Sequence, residues 1–583
     1  MMRALAWERW EAMRRLGVVV ALAALAMGIL ASSDAQTLLL TLDTPNPRDG
    51  FWFSYSLALG DVNGDGKVDI AVGAPFEDVS GNLRQGRAYV FSGADGSLFF
   101  TLNTPNPGCA EFGYSMALGD VNGDGKADIA VGAQAENVGG NESQGRVYVF
   151  SGVDASLLLT LDMPVPQRWS DFGSSVAMGD VNSDGKADIA VGAPAEEIGQ
   201  GRAYVFAGTD GSLLFTLNTP NPGQAWFGNS LGVGDVNADG KADITVGAPL
   251  EWVGGNDWQG RAYVFSGADG SLLFTLDSLN PQSRAQFGNS LAVGDVNADG
   301  NADIAVGAPL EWVSGNDWQG RVYVFSGADG SVLFTLDTPN PQAEAWFGNS
   351  LAAGDVNADS KADIAVGAPL EWVSGNDWQG RAYVFSGADG SVLFTLDTPN
   401  PQAEAWFGNP LALGDVSGDG KTDIAVGAEA ENVGGNKGQG RAYVFSFLNQ
   451  PPSCSAAAPS VVEIWPPNHK MVGVNVLGVT DPDRDPVSIV IVGITQDEPV
   501  SGLGGGDTSP DGAGVGADTA QVRAERASTR NVPSDGRMYH IHFEASDGRG
   551  GACSGVVNVR VPHDQRFGHV VVDGGELFDS TVP

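Results

Sequence analysis

From residue 36 onward the chain alternates short apolar runs with clusters of Gly, Asp, Asn and Pro, and nothing after that point keeps helical spacing. Runs such as Ala88-Tyr89-Val90-Phe91 are apolar at consecutive positions, so a strand formed there needs cover on both faces. The pattern repeats. The string that begins at Asp61 (D-V-N-G-D-G-K-V-D-I-A-V-G-A) recurs with few changes at Asp120, Asp180, Asp235, Asp295, Asp355 and Asp415, at intervals of 55 to 60 residues. Eight residues before each stands a Phe (Phe53, Phe112, Phe172, Phe227, Phe287, Phe347, Phe407), followed by Gly in every copy but the first, which has Ser54. Downstream come Q-G-R-[AV]-Y-V-F, as at Gln85 to Phe91 and Gln439 to Phe445, and then a run like Ser271 to Leu276. Four turn-separated runs per unit predict a four-stranded antiparallel sheet. Seven such sheets, each covered by its neighbours, predict an all-β fold dominated by a seven-bladed β-propeller over residues 36–447. The small Ala-Val-Gly-Ala segments suit crowding near a central axis. No fourth run follows Phe445, and the missing copy sits at Thr37 to Leu42. This N-terminal strand is expected to complete the last blade and close the ring, which removes exposed sheet edges.

Each repeat also carries an oxygen-rich loop. Its positions 1, 3, 5 and 9 hold Asp61, Asn63, Asp65 and Asp69 in the first copy and Asp120, Asn122, Asp124 and Asp128 in the second. The third has Asp180, Asn182, Asp184 and Asp188; the fourth Asp235, Asn237, Asp239 and Asp243; the fifth Asp295, Asn297, Asp299 and Asp303. The sixth has Asp355, Asn357, Asp359 and Asp363, and the seventh Asp415, Ser417, Asp419 and Asp423. Alternate placement round a tight turn brings these oxygens towards one point, with Gly at position 6 for the bend. The last carboxylate falls at position 9, where a strand begins, which excludes a two-helix EF-hand. All-oxygen donors without Cys or His select a hard cation, Ca²⁺, with up to seven ions, one per blade. Carboxylates about 4 Å apart repel by roughly 4 kcal/mol per pair at an effective dielectric of 20, so the empty loops should loosen. Ser360 replaces the position-6 Gly of the sixth loop and Ser417 the position-3 Asn of the seventh, and weaker binding is expected at both.

Phe-Gly, the oxygen-rich loop and Val-Gly-Ala-Pro (Val72 to Pro75, Val191 to Pro194) recur in register, and residues 37–447 resemble the FG-GAP repeats of integrin α-subunit propellers and their bacterial relatives. The resemblance implies a seven-bladed propeller, calcium at the loop positions named above, and a role in adhesion or ligand recognition. Two copies depart at the Pro (Gly132-Ala133-Gln134 and Gly427-Ala428-Glu429), and no metal-dependent adhesion domain is inserted between blades. Some secreted FG-GAP proteins are phospholipases, whose catalytic machinery lies in separate domains.

Outside the propeller the signals are weaker. Arg14 and Arg15 precede an apolar run from Leu16 to Leu30, and Ser33-Asp34-Ala35 supplies small residues, so 1–35 reads as a secretory signal peptide. An uncleaved anchor is the alternative, although the run is shorter than the roughly 20 residues a membrane span needs. Residues 448–458 read as a linker, 459–562 as a small β-sandwich and 563–583 as a tail; the sandwich is similar to Ig-like or cadherin-like bacterial modules. Ser501 to Asp518 should be a long flexible loop. Cys454 and Cys553 are positioned to pair, which leaves Cys109 over. His540 and His542 share one face of a strand, a metal pair without an evident third ligand.

Composition narrows the function classes. The net charge is −40, from 31 Lys and Arg against 71 Asp and Glu, which disfavours nucleic acid and anionic lipid. Seven Ca²⁺ ions would offset a third of that charge. All 5 His fall beyond residue 460, so the propeller lacks His-based acid–base or nucleophilic catalysis and no enzyme is expected. Carboxylate-only polysaccharide cleavage stays open, as does a purely structural spacer. The expected partner is an extracellular protein or carbohydrate met through Trp-bearing loops opposite the calcium loops: Trp252 and Trp258, Trp312 and Trp318, Trp372 and Trp378, with Trp226, Trp346 and Trp406. The same indoles serve equally well as packing between blades. The mature protein is expected to be secreted or at the cell surface, with no membrane span.

Overall fold

The computed structural model describes residues 36–447, 451–481, 486–500, 508–525, 536–547, 551–564 and 571–582. The leader read at 1–35 and residues 448–450 of the linker lie outside them. No helix among the described residues is long and apolar enough to cross a membrane.

The repeats form seven four-stranded antiparallel sheets. The first blade runs from Ser56–Gly60 through Asp69–Ala74 and Arg87–Phe91 to Leu98–Leu102, each strand pairing with the next. The last blade takes Phe407–Gly414, Asp423–Ala428 and Arg441–Phe447 from the end of the repeats and Gln36–Leu42 from the start, so the N-terminal strand is its outer edge. First strands of neighbouring blades lie side by side around the whole set, and the seventh returns to the first. This is the arrangement of a seven-bladed propeller.

Backbone hydrogen bonds join the blades at both ends of the strands. At one end, the carbonyl of the position-1 loop Asp accepts an N–H from the next blade. Asp61 O takes Ala127 N–H at 2.8 Å, the pattern repeats at Ala187, Ala242, Ala302, Ala362 and Thr422, and Val68 N–H to Asp415 O at 3.0 Å closes the circle. At the other end, the Phe of each Phe-Gly pair donates its N–H to the Gln carbonyl of the preceding Gln-Gly-Arg. Phe112 to Gln85 spans 3.0 Å, and Phe53 to Gln439, at 2.8 Å, again joins the first blade to the last.

The core lies between blades rather than within them. Phe112 is fully buried among Ala88 and Val90 of the first blade and Ile129, Val131 and Tyr148 of its own. Every other repeat Phe is equally buried, worth about 2–3 kcal/mol each by area. The Ala-Val-Gly-Ala segments form the second strand, not the one at the axis, and their small size answers a different crowding. A Cβ on the Gly of this segment would lie 1.9 to 2.1 Å from the carbonyl oxygen of the next blade's Phe-Gly in six of the seven blades, as Gly307 does against Gly348.

Beyond the propeller, two four-stranded sheets share one core. Met471–Leu477 and Thr519–Arg523 belong to one; Ser488–Gln496, Gly536–Ser546 and Ala552–Pro562 to the other. Both sheets recruit residues from segments read as linker, loop and tail. Ala458–Pro459 pairs with Met471–Leu477, and Cys454 is disulfide-bonded to Cys553 with Cα atoms 5.9 Å apart. Within the segment read as a flexible loop, Gly512–Ala513 is a strand and Asp511 is buried against Arg537 at 2.5 Å. Phe578–Asp579 of the tail adds an edge strand, and Ser580 is buried. Arg537 is fully enclosed, so Asp511 has to come inside to pair with it, while the tail is held by Ser580, which donates to Gln496 Oε1 at 2.8 Å. Cys109 is free and exposed.

The interblade crowding gives a direct test. Gly307→Ala should cost about 3 kcal/mol by forcing two blades apart. Gly108→Ala, where nothing lies within 4 Å of the added Cβ, should change stability by less than about 0.5 kcal/mol in the same urea titration.

Candidate functional site

Each oxygen-rich loop connects the first and second strands, so all seven lie at one end of the sheets. In the first, Asp61 Oδ1 accepts Gly64 N–H at 2.6 Å and Oδ2 accepts Gly66 N–H at 2.9 Å, which folds the turn around the carboxylate. Asp65 Oδ1 accepts Lys67 N–H at 2.8 Å. Asp69 is fully buried. Its Oδ2 takes Val62 N–H at 3.0 Å and its Oδ1 takes Gly93 N–H, from the third-to-fourth strand turn, at 2.9 Å. The same pair of bonds recurs at Asp128, Asp188, Asp243, Asp303 and Asp363. At Asp423 the loop bond comes from Ser417 N–H at 2.7 Å. Burial pushes the Asp69 carboxyl up to about 6, with Asp65 and Asp61 pushing the same way against the two amide bonds. Burial likewise takes Asp303 to about 6 and Asp363 to about 7.

The loops bring together two carboxylates, and a third side chain marks where they converge. Asn63 Nδ2 lies 3.1 Å from Asp65 Oδ2 and 3.2 Å from Asp69 Oδ2. Asn122, Asn182, Asn237, Asn297 and Asn357 place Nδ2 on the position-9 Asp in the same way. A half-turn of that amide would put an oxygen where the donor now sits. The donor set therefore fits a hard cation, although no group of three His, Cys, Asp or Glu among the described residues is drawn into a finished cage. The sixth loop keeps its bend: Ser360 adopts φ +66, and its N–H still reaches Asp355 Oδ2 at 2.8 Å.

At the opposite end of the strands the indoles divide into two sets. Trp252, Trp312 and Trp372 are exposed, at 67%, 57% and 54%. Trp346, Trp378 and Trp406 have buried indole nitrogens, and Trp406 packs edge-on against Trp52 at 5.7 Å. Packing thus accounts for the inner set, while Trp169, Trp226 and Trp318 are exposed as well as the outer three. Near the inner set, Glu111 pairs with Arg84 at 2.6 Å, while burial pushes Asp171 up to about 6 with the Glu111 charge adding to it.

The FG-GAP repeat family matches residues 53–91, 112–150, 172–206, 227–265, 287–325, 347–385 and 407–445, one match per blade. This is an integrin-alpha-like FG-GAP repeat protein. It is similar to integrin alpha-5 of Xenopus laevis, 30% identical over 42% of this chain and 24% of the integrin. It is 34% identical to human integrin alpha-IIb over 36% of this chain and 21% of the other. Human phosphatidylinositol-glycan-specific phospholipase D is 28% identical over 58% of this chain and 46% of its own length. The chain spans less than half the length of these relatives.

Each FG-GAP blade also holds a buried Glu that the motif reading passed over. Glu311 is fully buried and accepts Tyr323 Oη–H at 2.7 Å, Asn280 Nδ2–H at 3.0 Å and Arg321 at 3.3 Å. Asn280 belongs to the connection from the preceding blade, so this carboxylate ties two blades together. Glu77, Glu136, Glu251, Glu371 and Glu431 make the equivalent contacts, and Glu196 uses Gln167, Tyr204 and Arg202. The signal was present: Glu stands ten residues before the Arg of Gln-Gly-Arg in six blades. On the C-terminal module His540 and His542 pair separately with Asp573 at 2.9 Å and Glu576 at 3.1 Å rather than with one another.

Removing one of these carboxylates takes away the acceptor of a buried Tyr hydroxyl and opens a hole at the blade junction, although Arg321 keeps Asp337 at 2.7 Å. Glu311→Ala should lower unfolding stability by about 3 kcal/mol, and Glu311→Gln by less, measured by urea denaturation at fixed calcium.

Proposed function

We propose that this chain is an exported, calcium-binding FG-GAP propeller that recognises an extracellular ligand, with a C-terminal Ig-like module as its spacer. The observation that carries the reading is the repeated loop, in which a buried carboxylate stands beside an amide in six of the seven copies, and in the first the amide reaches an exposed carboxylate as well. Asp, Asn and the loop backbone would hold the ion, and bound calcium would neutralise carboxylates that otherwise repel within each loop. The integrin relatives favour adhesion or ligand binding as the role of such a propeller. Adsorption to a panel of matrix proteins and glycans, with calcium and with chelator, tests it: calcium-dependent binding supports the reading, and binding to nothing on the panel refutes it.

Carboxylate chemistry is a second reading, in which Asp171, pushed up by burial with the Glu111 charge adding to it, would be the acid. Should the protein cleave a polysaccharide, Asp171→Asn would abolish the cleavage.

Chelation and pH supply the calcium test. The position-9 carboxyls sit above their ordinary 3.8 in the metal-free fold. Ionising them therefore costs stability, and the chelated protein should melt at lower temperature as pH rises through about 6 to 7. Calcium binds the ionised form, so the difference in melting temperature between loaded and chelated protein should widen from pH 5 to pH 8. Each site occupied at 100-fold over its Kd adds about 2.7 kcal/mol.

A further inference from the structure

We propose that the exposed indoles of blades four to six form one extended platform for a polysaccharide chain of repeating, uncharged or weakly cationic sugar units. The inference rests on the ligand-recognition reading above and names its ligand class. Trp252, Trp312 and Trp372 occupy the same place, directly after the buried Glu, in three consecutive blades. The other four blades carry Asp78, Asn137, Glu197 and Asn432 there, so a blade closes without an indole at this position. Packing does not explain the three, because each leaves more than half of its surface in water.

Two of the three loops that carry them are clamped by a Gln of the preceding connection, whereas the Trp252 loop has Gly223 at the equivalent position. Gln282 Oε1 accepts Trp312 N–H at 2.8 Å while its Nε2 donates to Trp312 O at 3.2 Å, and Gln342 clamps Trp372 in the same way at 2.9 and 3.4 Å. Gln402 makes this clamp at Asn432 too, so it belongs to the loop, and what these blades add is the indole. A rigid backbone beneath an exposed aromatic ring lowers the entropy lost on binding.

Three near-identical loops around one arc offer the same chemistry three times. A ligand that matches them has to repeat too, as a sugar polymer does and a folded protein surface does not. The C–H face of a pyranose ring stacks on an indole face, and successive contacts on one chain multiply by effective concentration. The net charge of −40 selects against polyanionic chains.

The test uses the full chain in excess calcium, titrated calorimetrically with cello- and chito-oligosaccharides of increasing length and with hydroxyethyl cellulose and chitosan. Affinity should rise with chain length until three indoles are engaged. Trp312→Ala should weaken polymer binding about tenfold, and the triple change Trp252→Ala, Trp312→Ala, Trp372→Ala should abolish it while leaving the melting temperature unaltered. Length-independent affinity, an unimpaired triple variant or no binding to any of these sugars overturns the proposal. A wild-type protein that holds a matrix protein in calcium but no sugar sinks this inference alone; one that holds neither sinks the recognition reading with it.

Discussion

The joint between one blade and the next is the constraint on which the rest depends. A four-stranded sheet that is apolar on both faces has no stable existence alone, and the seven cores here each draw on two neighbouring blades. The joint is made by backbone at both ends: the first Asp of each loop accepts from the next blade, and each Phe-Gly donates to the preceding Gln-Gly-Arg. Between those ends the Gly of Val-Gly-Ala lets two backbones meet where a methyl group would not fit. The three recurring motifs are thus parts of a single joint, complete at six of the seven junctions.

This gives the loops a double role. The Asp that begins a loop holds the turn with its side chain and the next blade with its carbonyl, and the Asp that ends it reaches the third-to-fourth strand turn. A cation drawn to those carboxylates acts at the place where blades meet, so its binding energy would be expressed as ring rigidity. Ring closure adds one more fastening, because Asp43 beyond the N-terminal strand pairs with Arg441 at 2.7 Å. The exposed indoles are carried at the other end of the strands.

Much of this was legible because it is repeated. Blade number, strand order and the swapped N-terminal strand follow from counting strings, and a single copy would have shown none of them. What stayed hidden depends on burial. Glu311 and its counterparts look like surface charges in a chain with 71 acidic residues, and only their enclosure beside Tyr and Arg reveals a staple. The Trp residues divide into packed and exposed sets according to loop geometry that spacing does not encode. The C-terminal module has no repeat to average over, so neither the pairing of Asp511 with a buried Arg nor the burial of Ser580 against Gln496 left a pattern to read.

Bound calcium would couple the loop carboxylates to the blade joints as one unit. Hydrogen exchange at the amides of Ala127, Ala187, Ala242, Ala302 and Ala362, each bonded to a loop Asp of the preceding blade, addresses it most directly. In calcium all five should exchange slowly and together, and chelation should accelerate them together. Protection that is indifferent to chelation, or lost at one junction without the others, would contradict it.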